Sequence, residues 1–324
     1  MNIRIKELTQ IYLTAYKIRE TEEQIAKKYP NGQMRCPTHL SIGQELVPSI
    51  YAQFVSNDDY AVSTHRAHAH YLAKGGNLKE MISEIYGKET GCSKGMGGSM
   101  HLIDKSVGFM GSTAIVGGTI PIGVGLALSI KIKNENKLST VFLGDGSSEE
   151  GVFYESLNFA ALKDLPIIFI CENNLYSVYS NLEVRQPKNR KIYNLAKEIG
   201  IESSHANGYN IEDTYSKLKD AISYVRKNKK PFFIELDTYR FREHCGPNYD
   251  NELGYREVSE YENFLKKDPL MSLKKHLVEN LSEEVLNSYE GKINQEIKDA
   301  FEFAEKSDWP KYENINKYLY KESM

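Results

Sequence analysis

Apolar residues recur at helical spacing from the start of the chain. Leu8, Ile11, Tyr12, Ala15, Ile18 and Ile25 fall on one face of a 3.6-residue repeat. The pattern stops near Pro30-Asn31-Gly32, a turn signal. Between about residues 31 and 130 periodicity fades, and glycine gathers in the runs KGGN, GCSKGMGGS, GFMGS and IVGGTIPIGVG. Such loops let backbone approach a neighbour closely. Beyond residue 138 short apolar runs alternate with helical stretches. Residues 140–143 predict a buried strand ending in Gly144-Asp145-Gly146. A helix follows, with Val152, Phe153, Leu157, Ala160 and Ala161 on its apolar side. Residues 166–171 predict a second buried strand, ending in Glu172-Asn173-Asn174. Residues 211–226 read as a helix and 231–236 as a strand. This alternation predicts a parallel sheet with crossover helices.

The tail after about residue 256 reads as helical. Asp268 is a predicted N-cap with Pro269 at the first helical position. Ser282 opens a last helix, in which Val285, Tyr289, Ile293, Ile297 and Phe301 recur every four residues. There is no internal repeat and no low-complexity linker. The expected fold is α/β: one domain over residues 1–324, a parallel sheet flanked by helices, with helical extensions over about 1–30 and 256–324.

Composition narrows the function. The 324 residues are 40% hydrophobic and 26% charged, with net charge −3. That is a globular composition with no basic block, which argues against nucleic acid as a partner. The longest weakly polar run, 117–130, is interrupted by glycines and a proline and is too short to span a bilayer. The first twenty residues mix charge with apolar side chains and do not read as a signal peptide. Cys36, Cys92, Cys171 and Cys245 lie far apart, which suits a reducing cytoplasm rather than a disulfide framework or zinc ribbon.

The strongest chemical signal is Gly144-Asp145-Gly146 together with Asn173-Asn174. Both groups follow predicted strands. Asp145 and Asn174 are 29 positions apart, one strand–helix–strand unit. Ligands of open parallel sheets bind outside the carboxyl ends of strands, where neighbouring strands bring such side chains together. A carboxylate and an amide carbonyl are hard oxygen donors that suit Mg²⁺ with phosphate oxygens as further ligands. Ser147-Ser148 is expected to open the next helix, whose N–H groups favour anions. Either dipeptide alone reads as a turn; the pairing and spacing favour a site.

Other signals are weaker. His65, His68 and His70 could form a zinc cluster of a metallohydrolase, but no neighbouring carboxylate completes a common ligand set. His70 alone reads as structural. Gly123-x-Gly125 is a poor dinucleotide fingerprint, and Cys171 within a strand reads as core.

The paired motifs resemble the thiamine diphosphate signature, and the resemblance extends along the chain. Arg35-Cys-Pro-Thr-His39-Leu-Ser-Ile-Gly43-Gln44-Glu45, His65-Arg66-Ala67-His68, Lys94 to His101, Ala114-Ile-Val-Gly117, Glu172-Asn-Asn-x-Tyr176, Tyr239-Arg240-x-x-x-His244 and Lys267-Asp-Pro-Leu270 are similar, in order, to alpha subunits of the first component of 2-oxo-acid dehydrogenase complexes. This covers residues of about 5 to 315.

The resemblance implies a thiamine diphosphate-binding fold and a role for each residue. Asp145, Asn174 and the backbone carbonyl of Tyr176 would hold Mg²⁺. Gly144, Gly146, Ser147, His65, Arg66 and His244 would meet the diphosphate. Ala114 and Val116 would meet the aminopyrimidine through backbone groups. His68 would sit near the thiazolium as a proton carrier, His244 would reach the diphosphate or the reacting centre, and His39 would line the substrate pocket. It implies oxidative decarboxylation of a small, pyruvate-like 2-oxo acid, with acyl transfer to a lipoyl-bearing acyltransferase. It also implies a beta subunit with the pyrimidine-binding domain, two of each chain per enzyme. The Glu that generates the carbanion comes from that beta chain, and no matching motif occurs here.

Two positions depart from the family. Residue 65 is His where relatives often carry Tyr. Cys245 follows His244 where many carry Ser, and the following loop is longer, ending at Gly254. That departure keeps open a decarboxylase or carboligase with a non-lipoyl acceptor. From another class, a zinc metallohydrolase or a non-catalytic scaffold is the alternative.

Overall fold

The computed structural model describes residues 3–314. Six strands form one parallel sheet: β1 Tyr60–Ser63, β2 Phe109–Ser112, β3 Ser139–Gly144, β4 Ile167–Asn173, β7 Glu202–Ala206 and β8 Phe232–Asp237, in the order β2-β1-β3-β4-β8-β7. A two-stranded antiparallel hairpin, β5 Tyr176–Ser177 with β6 Ser180–Asn181, lies apart. The α/β expectation and the strands β3, β4 and β8 hold.

Alternation within the strands builds a core on each face of the sheet. Ile167, Phe169 and Cys171 of β4 turn to one face, with Val141, Leu143 and Phe233. Ile168 and Ile170 turn to the other, with Phe142, Ile234 and Leu236. β4 is buried at every position, as a central parallel strand should be. Cys171 is fully buried, and burial pushes its thiol well above the ordinary range; it is a core residue. All four cysteines are free.

The first helix, Ile5–Lys28, buries all six residues of its predicted stripe. It packs against the helices Pro269–Asn280 and Glu283–Lys306, so the two helical extensions meet. Asp268 caps Pro269–Asn280 by accepting from Leu270 N–H, and Ser282 caps the last helix by accepting from Val285 N–H. The every-four stripe of that helix does not all face inward. Val285 and Tyr289 are exposed, whereas Ile297 and Phe301 are buried. Steps of four advance about 400°, so the stripe drifts by about 40° each time. Leu286 and Ala300, offset by one, fill the buried face instead.

The glycine-rich middle holds more order than its pattern shows: β1, β2 and four helices, including Ile120–Ile132. A Cβ on Gly123 would stand 2.2 Å from Val141, so glycine here lets that helix lie against β3. No helix among the described residues is long and apolar enough to cross a membrane.

Candidate active site

β3 and β4 pair in parallel from Ser139↔Ile167 to Gly144↔Glu172. Their carboxyl ends therefore deliver Asp145 and Asn174 to one point. Both side chains are buried and line the same cleft. Asn174 is oriented in turn: its Oδ1 accepts Tyr176 N–H at 3.1 Å and its Nδ2 donates to Gln44 Oε1 at 3.2 Å. Ser147 lies on a short 3₁₀ turn, Asp145–Glu149, and the expected helix begins only at Gly151. Gly146 sits against the hairpin, where a Cβ would meet Ser177 Oγ at 2.9 Å.

These residues open into a cleft of about 180 Å³. It gathers His39, His65, Arg66, Ala114, Val116, Gly144, Asp145, Gly146, Ser147, Asn174, Tyr176 and His244 from six separate stretches of chain. Gln44, Thr64, Met100, Glu172, Ser177 and Val178 complete the wall. Gln44, Met100 and Glu172 lie inside the quoted motifs and were within reach of the sequence reading; no sequence signal marks Thr64, Ser177 and Val178.

His68 does not line the cleft. It is fully buried, with Nδ1 at 3.0 Å from Glu22 Oε1 and Nε2 at 2.8 Å from Ser99 Oγ. Glu22 also accepts Ser41 N–H with both carboxylate oxygens. His68 thus ties three cleft-forming stretches together from behind. The three histidines at 65, 68 and 70 do not converge on an ion. His70 bonds Ser63 Oγ and Glu172 Oε2 and stacks on Phe142 at 3.9 Å. His65 instead meets His39 and His244.

Arg66 is buried, and its guanidinium donates to Leu40 O at 2.5 Å and His244 O at 3.1 Å. Burial first, then Arg240, lowers its pKa to about 9, so it stays charged near neutrality. Burial also lowers His39 to about 2 and His65 and His244 to about 3, with Arg66 adding to each. The three imidazoles are therefore neutral. Burial raises the Asp145 pKa, and Arg185 opposes that by pairing with the carboxylate. Arg185 also pairs with Glu149. No sequence pattern singled out Arg185.

The donor set fits Mg²⁺ and a diphosphate. The carboxylate, amide and carbonyl of Asp145, Asn174 and Tyr176 are hard oxygens. Arg66 is a buried fork with no carboxylate partner among the described residues, and it faces the same cleft. Two buried atoms await partners there, His39 Nδ1 and Glu172 Oε1.

Comparison with known proteins identifies the family. A profile of the dehydrogenase E1 component family matches residues 14–313. The pyruvate dehydrogenase E1 component subunit alpha of Rickettsia bellii is 36% identical over 323 residues, covering 98% of each chain. The chloroplastic subunit alpha-3 of Arabidopsis thaliana is 35% identical over 300 residues, 90% of this chain and 69% of that one. The alpha subunit of Porphyra purpurea is 32% identical over 339 residues, 99% and 97% of the two chains. The chain belongs to the dehydrogenase E1 component family, as an alpha subunit of the thiamine diphosphate-dependent first component of a 2-oxo-acid dehydrogenase.

Proposed function

We propose that this chain, paired with a beta subunit in a heterotetramer of two alpha and two beta chains, uses thiamine diphosphate and Mg²⁺ to decarboxylate pyruvate and pass the acyl group to a lipoyl carrier. The observation that carries the reading is that Asp145 and Asn174 follow the paired strands β3 and β4 and line one cleft with Arg66. The names of the relatives supply pyruvate.

Asp145, Asn174 and the Tyr176 carbonyl would hold the metal, and Arg66, Gly146 and Ser147 the diphosphate. When bound, the cofactor supplies the electron sink that lets CO₂ leave. The protein's part is positioning. Neutral His39 and His244, their pKa values lowered to about 2 and 3, can orient substrate by hydrogen bonds, each ring offering one donor and one acceptor nitrogen. His68, held by Glu22 and Ser99, positions the cleft loops rather than touching substrate. The cleft is smaller than the roughly 300–1,000 Å³ that enclose a drug-sized ligand. That supports a site completed by a second chain.

The test is CO₂ release from pyruvate and reductive acylation of a lipoylated domain by the assembled protein. Activity should require the beta chain and vanish in Asp145→Ala. CO₂ release without acylation of the lipoyl domain would favour the carboligase reading that the altered loop after His244 keeps open.

A further inference from the structure

Glu235 is a buried acid outside the cofactor cleft. It lies on β8 opposite Cys171 of β4. Its Oε1 accepts from Asn173 Nδ2 at 2.8 Å, and its Oε2 accepts Tyr193 N–H at 3.0 Å. Asn173 is buried as well, and its Oδ1 accepts Leu175 N–H at 3.0 Å. Leu175 is left-handed, with φ 71°, a conformation costly for a leucine. Its carbonyl accepts Leu182 N–H at 2.7 Å, which closes the base of the hairpin β5-β6. Glu235, Asn173 and Leu175 line a separate hollow of about 220 Å³, not the cleft that Asn174 and Tyr176 line.

We propose that Glu235 is the positioning residue of the metal-binding turn: it fixes the Asn173 amide, and through it the left-handed turn at Leu175 that carries Asn174 and Tyr176. A side-chain amide can sit two ways round. A carboxylate only accepts and a backbone N–H only donates. With Glu235 on one side and Leu175 N–H on the other, one orientation of Asn173 makes both bonds. The flipped amide would set oxygen against oxygen and N–H against N–H. The orientation that Glu235 selects is the one that caps the turn. Among the described residues no cation pairs with Glu235, whose partners are an amide and a backbone N–H. A carboxylate buried on neutral donors is a weak source of stability; what it adds is direction. The inference rests on the proposed reading of Asn174 and Tyr176 as metal ligands, and Glu235 acts on them only through Asn173.

Mn²⁺ titration by electron paramagnetic resonance tests this, on the full chain assembled with its beta subunit and with thiamine diphosphate present. Glu235→Gln leaves an NH₂ group facing one of the two donors and frees the Asn173 amide to turn over. Asn173→Asp sets two carboxylates against each other. Each variant should weaken Mn²⁺ binding by about tenfold or more, as the loss of one charge-assisted bond would. At saturating Mn²⁺ the KM for pyruvate should stay within about twofold of wild type. The double variant Glu235→Gln/Asn173→Asp reverses the pair: the new amide donates to the new carboxylate, which still accepts Leu175 N–H. It should bind Mn²⁺ within about threefold of wild type. A purely structural Glu235 would lower the melting point of the metal-free protein and leave Mn²⁺ affinity alone. Unchanged affinity in a single variant that folds by circular dichroism, or a double variant no tighter than the single ones, would overturn the proposal. If neither single variant folds, the double variant decides: affinity near wild type supports the pairing, and weaker binding overturns it. No Mn²⁺ binding by the wild type would overturn the metal reading itself, and the inference with it.

Discussion

Glu84 gives the sharpest test of how the glycine-rich loop is held. The side chain is fully buried on the helix Leu78–Ile85. Its Oε2 accepts the backbone N–H of Ser93 at 2.7 Å and of Gly95 at 2.9 Å, and its Oε1 those of Gly97 at 2.7 Å and Gly98 at 3.0 Å. The loop wraps this carboxylate as a nest of amides wraps an anion. A Cβ on Gly91 would stand 2.3 Å from Oε2, so the wrapping leaves no room at that side. In Glu84→Gln one oxygen becomes an NH₂ group. Two backbone N–H groups then face donors, at about 1–3 kcal/mol each. The two remaining bonds fall from charge-assisted to neutral, roughly 1 kcal/mol apiece. The expected loss is about 4–8 kcal/mol, a large part of the roughly 5–15 kcal/mol that stabilises a domain. Hydrogen exchange should show it locally, with the amides of residues 93, 95, 97 and 98 losing protection before the sheet does. Ser99 holds His68 and Met100 lines the cleft, so cofactor affinity should fall as well. A variant within about 1 kcal/mol of wild type, with those four amides still protected, would refute the reasoning.

Three further outcomes follow from the cleft. Arg66→Lys keeps the charge but loses the fork; forfeiting one or two charge-assisted bonds at about 1.5–3 kcal/mol each should weaken thiamine diphosphate binding by tenfold or more, and unchanged affinity in calorimetry would contradict it. Arg185→Gln frees Asp145 of an internal competitor, so Mn²⁺ as a Mg²⁺ probe should bind roughly tenfold tighter by titration; weaker binding would mean that Arg185 serves the occupied site. His39, His65 and His244 stay unprotonated in the folded chain down to about 2 to 3, while unfolded histidines take up protons near 6.5. Their contribution is thus whole above about pH 6.5 and is lost as pH falls toward 3, at up to about 1.4 kcal/mol per pH unit for each ring. His65→Tyr should flatten the urea-measured slope between about pH 6 and 4 by up to that amount, and an unaltered slope would count against the burial assigned to this ring.

The parts legible in the sequence were those whose physics is local. β3, β4 and β8 are buried on both faces and read as unbroken apolar runs, so their ends, and with them Asp145 and Asn174, could be placed. β7, Glu-Ser-Ser-His-Ala at the sheet edge, has no apolar run, and β1 and β2 are only four residues long. The helix Ile120–Ile132 is apolar nearly all round, which erases the 3.6-residue signal that an amphipathic helix carries. Glycine announced that the loop after Gly91 approaches something closely, but not that the something is Glu84. His68 shows the limit of motif proximity. The helix His68–Ala73 begins at that residue, so His65 and Arg66 on the preceding loop face the cleft while His68, in the first turn, points back to Glu22. Motif order set which residues belong near the site; which way each one turns depended on contacts some 46 positions away.

The charges of the cleft make sense only for a chain that receives a ligand. Asp145 already has a counter-ion in Arg185, and Glu172 is bound to His70 with one oxygen left over. Arg66 has neither arrangement: it is buried and charged, and among the described residues its guanidinium bonds two carbonyls and no carboxylate. Burying an ion without a partner costs several kcal/mol, and folding alone returns nothing for it. A chain selected for stability would place an apolar side chain or a carboxylate there. An anion in the cleft, bound through the guanidinium fork, offsets that cost on arrival, while a cation at Asp145 must first displace Arg185 from the carboxylate. The two ions therefore meet unequal obstacles in this chain, and the diphosphate end of a metal–diphosphate pair gains more from the free protein than the metal end does. Metal and diphosphate should accordingly bind together more tightly than the product of their separate affinities, because the phosphate oxygens supply both the anion that Arg66 lacks and an alternative partner for the guanidinium that leaves Asp145.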